Sequence, residues 1–155
     1  GAKNSLYVSL LSVALSGFAG VALGVLAGFA GGRLDQFVMR LMDVFFAFPA
    51  LLLALLVITV LGPSINNAVL AIAVVYTPIF ARVARGPVLA VKEREFVQAG
   101  RSLGSSSLRL VTRHVLPNIL APLLVQFSLA LSWALLTEAG LSFLGLGIQP
   151  PAASW

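Results

Sequence analysis

Apolar positions in this chain run in long uncharged stretches rather than in the alternating pattern of a soluble fold. No charged residue occurs from Asn4 to Gly32, and none from Val44 to Ala81. A helix needs roughly 20 apolar residues to cross a bilayer, so the second stretch is too long for one crossing. It breaks at Leu61-Gly-Pro-Ser-Ile-Asn-Asn67, a turn-rich cluster. The pattern predicts four spans, at about 6–30, 43–61, 67–84 and 116–137, with one long polar insert at 85–115. The expected architecture is an all-α, polytopic transmembrane helical bundle, with no second domain within 1–155 and no internal repeat.

Composition agrees. The chain is 59% hydrophobic and 10% charged, with mean hydropathy +1.03, whereas soluble domains carry about 25% charged residues. Cysteine is absent, which excludes disulfides, thiol nucleophiles and cysteine-bound metals. One histidine and five carboxylates leave little for a metal site or acid–base catalysis; no cofactor is expected. The first apolar run exceeds the ~7–15 residues of a signal-peptide core. Gly1 in place of Met suggests a piece of a longer protein.

Charge sets the expected orientation. Nine of the ten basic groups fall between spans one and two (Arg33, Arg40) or three and four (Arg82, Arg85, Lys92, Arg94, Arg101, Arg109, Arg113), and only Lys3 lies opposite. Positive residues collect on the cytoplasmic side, so the 85–115 insert is expected there. Insertion topology and anionic lipid account for the basic excess better than nucleic acid does. Asp43 is expected to pair with Arg40, three residues back on a helix.

Within the spans, Gly20, Gly24 and Gly28 recur every four residues, making a smooth stripe where another helix backbone can approach. Pro49, Pro78 and Pro122 each remove a backbone donor and can kink a helix. Glu138, at the end of span four, is expected to reach water or cap the segment after it.

The insert carries its own pattern. Phe96, Val97, Gly100, Leu103 and Gly104 fall on one face of a predicted helix, with Glu95, Gln98, Arg101 and Ser102 towards the other. Two glycines there cost about 1 kcal/mol each relative to alanine, so the helix either ends at them or meets a close neighbour. Ser105–Ser107 offer N-caps for a second short helix over 108–114, and Pro117 suits the first turn of the following span. An apolar face this thin fits a protein groove better than lipid headgroups. His114 is expected at the interface.

Gln98-Ala99-Gly100, three residues, Gly104, nine residues, His114, one residue, Leu116-Pro117 resembles the signature of ATP-binding-cassette importer permeases, Glu-Ala-Ala…Gly…Ile-x-Leu-Pro. Gln98, Gly100 and His114 depart from its usual Glu, Ala and Ile. Glu95-Phe-Val-Gln-Ala-Gly-Arg-Ser-Leu-Gly104, Glu138-Ala-Gly-Leu-Ser-Phe-Leu-Gly-Leu-Gly147 and Gln149-Pro-Pro151 to Ser154-Trp155 are similar to the dipeptide/oligopeptide/nickel permease subfamily. So are Met39-Arg-Leu-Met-Asp43 and Phe48-Pro49. The resemblance implies a multi-pass permease of the cell (inner) membrane with a type I importer fold, forming half of a pathway for peptides or nickel. Its implied partners are a second homologous permease, two cytoplasmic ATP-binding subunits and an extracytoplasmic solute-binding protein. The ATPase-coupling helix would comprise Glu95, Phe96, Val97, Gln98, Ala99, Gly100, Arg101, Ser102, Leu103 and Gly104, with His114, Leu116 and Pro117 completing the motif. No GxxxxGK[ST] phosphate loop is present, so ATP hydrolysis is expected on those partners. The alternative is a secondary transporter or channel subunit without an ATPase, a class that would place acids at mid-membrane.

Overall fold

The computed structural model describes residues 2–147; the Gln149–Trp155 stretch lies outside the described residues. Seven helices follow in order: α1 (Ala2–Ala30), α2 (Gly32–Phe46), α3 (Ala50–Leu61), α4 (Ile65–Lys92), α5 (Glu95–Ser102), α6 (Ser107–Leu110) and α7 (Leu116–Phe143). A π-helical turn, Val111–Val115, joins α6 to α7. Three helices are long and apolar enough to cross a membrane: α1, α4 and the continuous helix Ser107–Phe143.

Helices α1 and α4 lie side by side in the same direction along a seam of small residues. A Cβ on Gly20 would lie 2.5 Å from the Thr77 carbonyl oxygen and from Phe80 Cβ; one on Gly24 would collide with the Ala81 carbonyl. At Gly28 the neighbours stand slightly farther off, Val88 Cγ1 at 3.1 Å and the Arg85 oxygen at 3.2 Å. The stripe continues towards the N-terminus as Ser5, Ser9, Ser12 and Ser16, all buried. Ser12 Oγ lies 2.7 Å from the Val8 carbonyl and 3.2 Å from that of Val69 on α4, so its hydroxyl serves both helices. Close approach of two backbones is what small residues permit, and dispersion at that distance holds membrane helices together.

The second predicted span takes a different form. Residues 43–61 do not form one straight helix: the chain makes α2 and α3, bent by 92°, a pair that together is long and apolar enough to be one broken span. The physical cause is Pro49, which disfavours helical geometry at Phe48 and itself takes φ −57°, ψ 137° as the residue before α3. Helix α3 has 12 residues, about 18 Å at 1.5 Å per residue, less than the ~30 Å of a bilayer core. Asp43 belongs to α2 and pairs with Arg82 of α4, not with Arg40. Asp35 receives two bonds from Arg85, Nε at 2.5 Å and a terminal nitrogen at 2.6 Å.

After α3, Gly62 (φ +89°) turns the chain. Ser64 Oγ accepts from the Asn67 N–H at 3.1 Å, and Asn67 Nδ2 donates to the Leu61 and Gly62 carbonyls, each at 2.9 Å. One turn thereby satisfies the end of α3 and the start of α4. Helix α4 runs to Lys92, eight residues beyond the expected 67–84 boundary, and contains Pro78 and Pro87. Gly86 before Pro87 spares the helix the clash a side chain there would make with the proline ring.

Two apolar clusters fill the bundle. One joins α1, α3, α4 and α7 around Ile58, Ile72 and Phe80. The other lies at the end of the bundle rich in basic residues, where Val25, Val88, Val91, Val97, Val115 and Ile119 meet.

Candidate functional site

The insert is a helix, a tight turn and a second helix, anchored to the bundle by few side chains. Val97 is fully buried beside Val88, Val91 and Val115. Gly100 sits against α6, where a Cβ would come 2.7 Å from Leu110 Cδ2. Helix α5 ends in a Schellman turn: Ser105 N–H donates to the Gly100 carbonyl at 3.0 Å, and Gly104 N–H to Arg101 at 2.9 Å. That turn needs a left-handed residue, and Gly104 has φ +78°.

The single face read from sequence therefore divides. Val97 and Gly100 are turned into this chain's own core. Phe96 (40% exposed) and Leu103 (87%) remain accessible. Gly104 sets the bend and is not part of the helix. Glu95, Gln98, Ala99 and Ser102 are exposed, with Ser102 Oγ bonded back to the Gln98 carbonyl at 3.1 Å. The Arg101 guanidinium lies 5.0 Å over the Phe29 ring of α1.

Ser106, from the predicted serine cluster, caps α6 by accepting from the Arg109 N–H at 3.4 Å. The π turn follows and stops just short of Leu116 and Pro117. In a regular α-helix the Pro117 ring would press on the carbonyl four residues back; the wider turn gives it room. Leu116 N–H reaches the Val111 carbonyl, and Asn118 Nδ2 donates to the His114 carbonyl at 2.6 Å. His114 is half-buried, its ring 5.8 Å from that of Phe96, so the two ends of the sequence motif meet in space. Lys92 Nζ ties the start of the insert to the Gly28 carbonyl at 2.8 Å.

At the opposite end of α7, Glu138 is buried, 1% exposed, and accepts from Ser142 Oγ at 2.7 Å. It does not reach water as expected, because the following turn of α7 folds a donor onto it. At the adjacent position of α7, Thr137 is joined to Tyr76 of α4 by a buried hydrogen bond of 2.9 Å. Local residue spacing gives no sign of this pair; for the buried serines, the helical spacing of Ser5, Ser9, Ser12 and Ser16 is the available signal. Among the described residues, no group of three or more His, Asp or Glu side chains gathers as a metal site would.

Residues 20–155 match the family described as the binding-protein-dependent transport system inner membrane component. The di/tripeptide transport system permease protein DppC of Pseudomonas aeruginosa is 46% identical over the whole chain, which covers 51% of that protein. The probable D,D-dipeptide transport system permease protein DdpC of Escherichia coli is 44% identical over the whole chain and 52% of its own length. The chain thus spans about half the length of the curated relatives it matches. Among solved structures, an inward-facing MetNI methionine ABC transporter superposes with TM-score 0.73 and 20% identity, over 93% of this chain and 74% of that one; this likeness is one of fold. With a matching family over most of its length and an importer permease fold, the chain belongs to the binding-protein-dependent transport system inner membrane components.

Proposed function

We propose that this chain forms part of the permease subunit of an ATP-driven peptide importer, and that α5 with its Schellman turn is the element gripped by a separate cytoplasmic ATPase. The observation that carries the reading is the division of the insert. Val97 and Gly100 fasten it to the bundle, while Phe96 and Leu103 stay apolar and exposed on a polar, basic end. An isolated exposed leucine means little, but an apolar pair on a short, internally braced helix suits a groove on another protein. Peptides are favoured over nickel because the relatives named above carry di- and tripeptides or D,D-dipeptides in their descriptions. The remaining partners follow from the family: a second homologous permease and an extracytoplasmic binding protein. The chain supplies the pathway and its partners the hydrolysis.

The test is co-purification of the full-length protein with its ATPase subunit in mild detergent. Gly104→Val forces a β-branched side chain into the left-handed region, a cost of about 1–2 kcal/mol, and misplaces Leu103. Recovery of the ATPase is expected to fall about tenfold, equivalent to about 1.4 kcal/mol, while the thermal melt of the bundle moves little. Failure of the unaltered protein to recover an ATPase, or full recovery by Gly104→Val, refutes the docking role.

A further inference from the structure

We infer that the cleft between the end of α1 and the α5–α6 turn is a binding site for one anionic phospholipid. The cleft has a volume of about 510 Å³ and is walled by Leu26, Phe29, Leu108 and Val111, with Arg101 and Ser107 contributing its polar edge. Apolar walls with a few polar groups to fix orientation are what a small amphiphile requires.

Three observations select the occupant. First, Arg101 is exposed and has no carboxylate within ion-pair distance among the described residues. Stacking over Phe29 holds its guanidinium beside the cleft, with donors left for a phosphate, which a guanidinium binds in bidentate fashion. Second, the apolar wall does not stop at the cleft. Leu11, Leu15, Phe18 and Leu26 are exposed on the same face of α1 as Phe29. They form a continuous lane along which an acyl chain can lie. Third, the lane ends where α1 ends, and Arg33, Arg94 and Arg109 also belong to this end of the bundle. A tail in the lane places its headgroup beside Arg101 at this basic end of the bundle, the arrangement by which basic pockets at the cytoplasmic surface hold acidic lipids. A soluble anion would use Arg101 and leave Leu26 and Leu108 bare; a phospholipid covers both.

Native mass spectrometry of the full-length protein, titrated with phosphatidylglycerol or phosphatidylcholine in detergent, tests this. Phosphatidylglycerol is expected to bind preferentially. Arg101→Gln, which keeps part of the aliphatic stem over Phe29, should weaken its binding about fivefold, the effect of one basic residue at an anionic surface. Arg101→Lys should retain most of the preference, and Leu108→Gln should weaken both lipids alike. Thermal melts in the same detergent establish that each variant is folded, and Arg101→Ala serves as a second neutral variant. Unchanged phosphatidylglycerol binding in both neutral variants overturns the assignment. So does an equal loss of both lipids on removing the charge, or a loss of ATPase recovery with lipid binding intact, which would give the cleft to a protein contact.

Discussion

Replacing Gly24 by alanine tests the packing of α1 on α4 at one atom. An added methyl group would collide with the Ala81 carbonyl and stand 3.0 Å from both the carbonyl carbon and Ala84 Cβ. These are backbone atoms and a Cβ, which cannot rotate aside, so α4 must move away along its length. Alanine gains about 1 kcal/mol over glycine in helix propensity, and overpacking of a well-filled core costs about 1–3 kcal/mol. With fixed backbone atoms in the way the cost lies in the upper part of that range, about 2–3 kcal/mol. The net for Gly24→Ala is therefore a destabilisation of about 1–2 kcal/mol, a factor of roughly 5–30 in the folded-to-unfolded ratio. At Gly28 the same methyl meets Val88 Cγ1 at 3.1 Å and the Arg85 carbonyl oxygen and Val88 Cβ at 3.2 Å, contacts that a shift of a few tenths of an ångström relieves. There the propensity gain offsets the crowding, and the change should be close to neutral. Unfolding of the purified protein in rising mole fractions of sodium dodecyl sulfate, followed by circular dichroism, measures both. A Gly24→Ala variant as stable as the parent, or a Gly28→Ala variant weaker than Gly24→Ala, would show that the seam is not backbone-limited.

Three further outcomes follow from the polar contacts. A double-mutant cycle on Asp35 and Arg85, whose side chains are 13% and 32% exposed, should give a coupling of about 1–2 kcal/mol. The cycle on Asp43 and Arg82, at 58% and 49%, should give at most about 1 kcal/mol and fade with added salt. Because Thr137 Oγ1 also bonds to the Trp133 carbonyl at 2.9 Å, Tyr76→Phe loses only one neutral bond, about 0.6 kcal/mol in a membrane helix pair. Thr137→Val should cost more, about 1–3 kcal/mol, since it strands the buried Tyr76 hydroxyl; comparing the two unfolding curves checks the order.

Some of this was visible in the residues and some was not, for identifiable reasons. The four-residue interval of Gly20, Gly24 and Gly28 can be read directly, because only a packing surface uses glycine so regularly within a helix. Its extension through Ser5, Ser9, Ser12 and Ser16 is harder to see, since serine counts as polar although its hydroxyl can bond within its own helix. Pro49 signals an interruption, yet the 92° angle depends on how α2 is held to α4 by Asp35 and Asp43. Those pairings span 50 and 39 residues, beyond the reach of local spacing, which proposed Arg40 instead. The insert illustrates the same limit. Helical periodicity placed Val97, Gly100, Leu103 and Gly104 on one surface, but the left-handed turn at Gly104 ends the helix first, and contacts with Val115 and Leu110 decide which members face inwards.

The π turn does not interrupt the rod that contains it: the helix from Ser107 to Phe143 is unbroken over 37 residues, about 55 Å at the usual rise. A shaft of that length amplifies small rotations. Tilting it by about 5° at Leu110 displaces the neighbourhood of Glu138 and Ser142 by several ångströms. Leverage, rather than a relay of side-chain rearrangements, is thus available to carry a movement from one surface of the bilayer to the other.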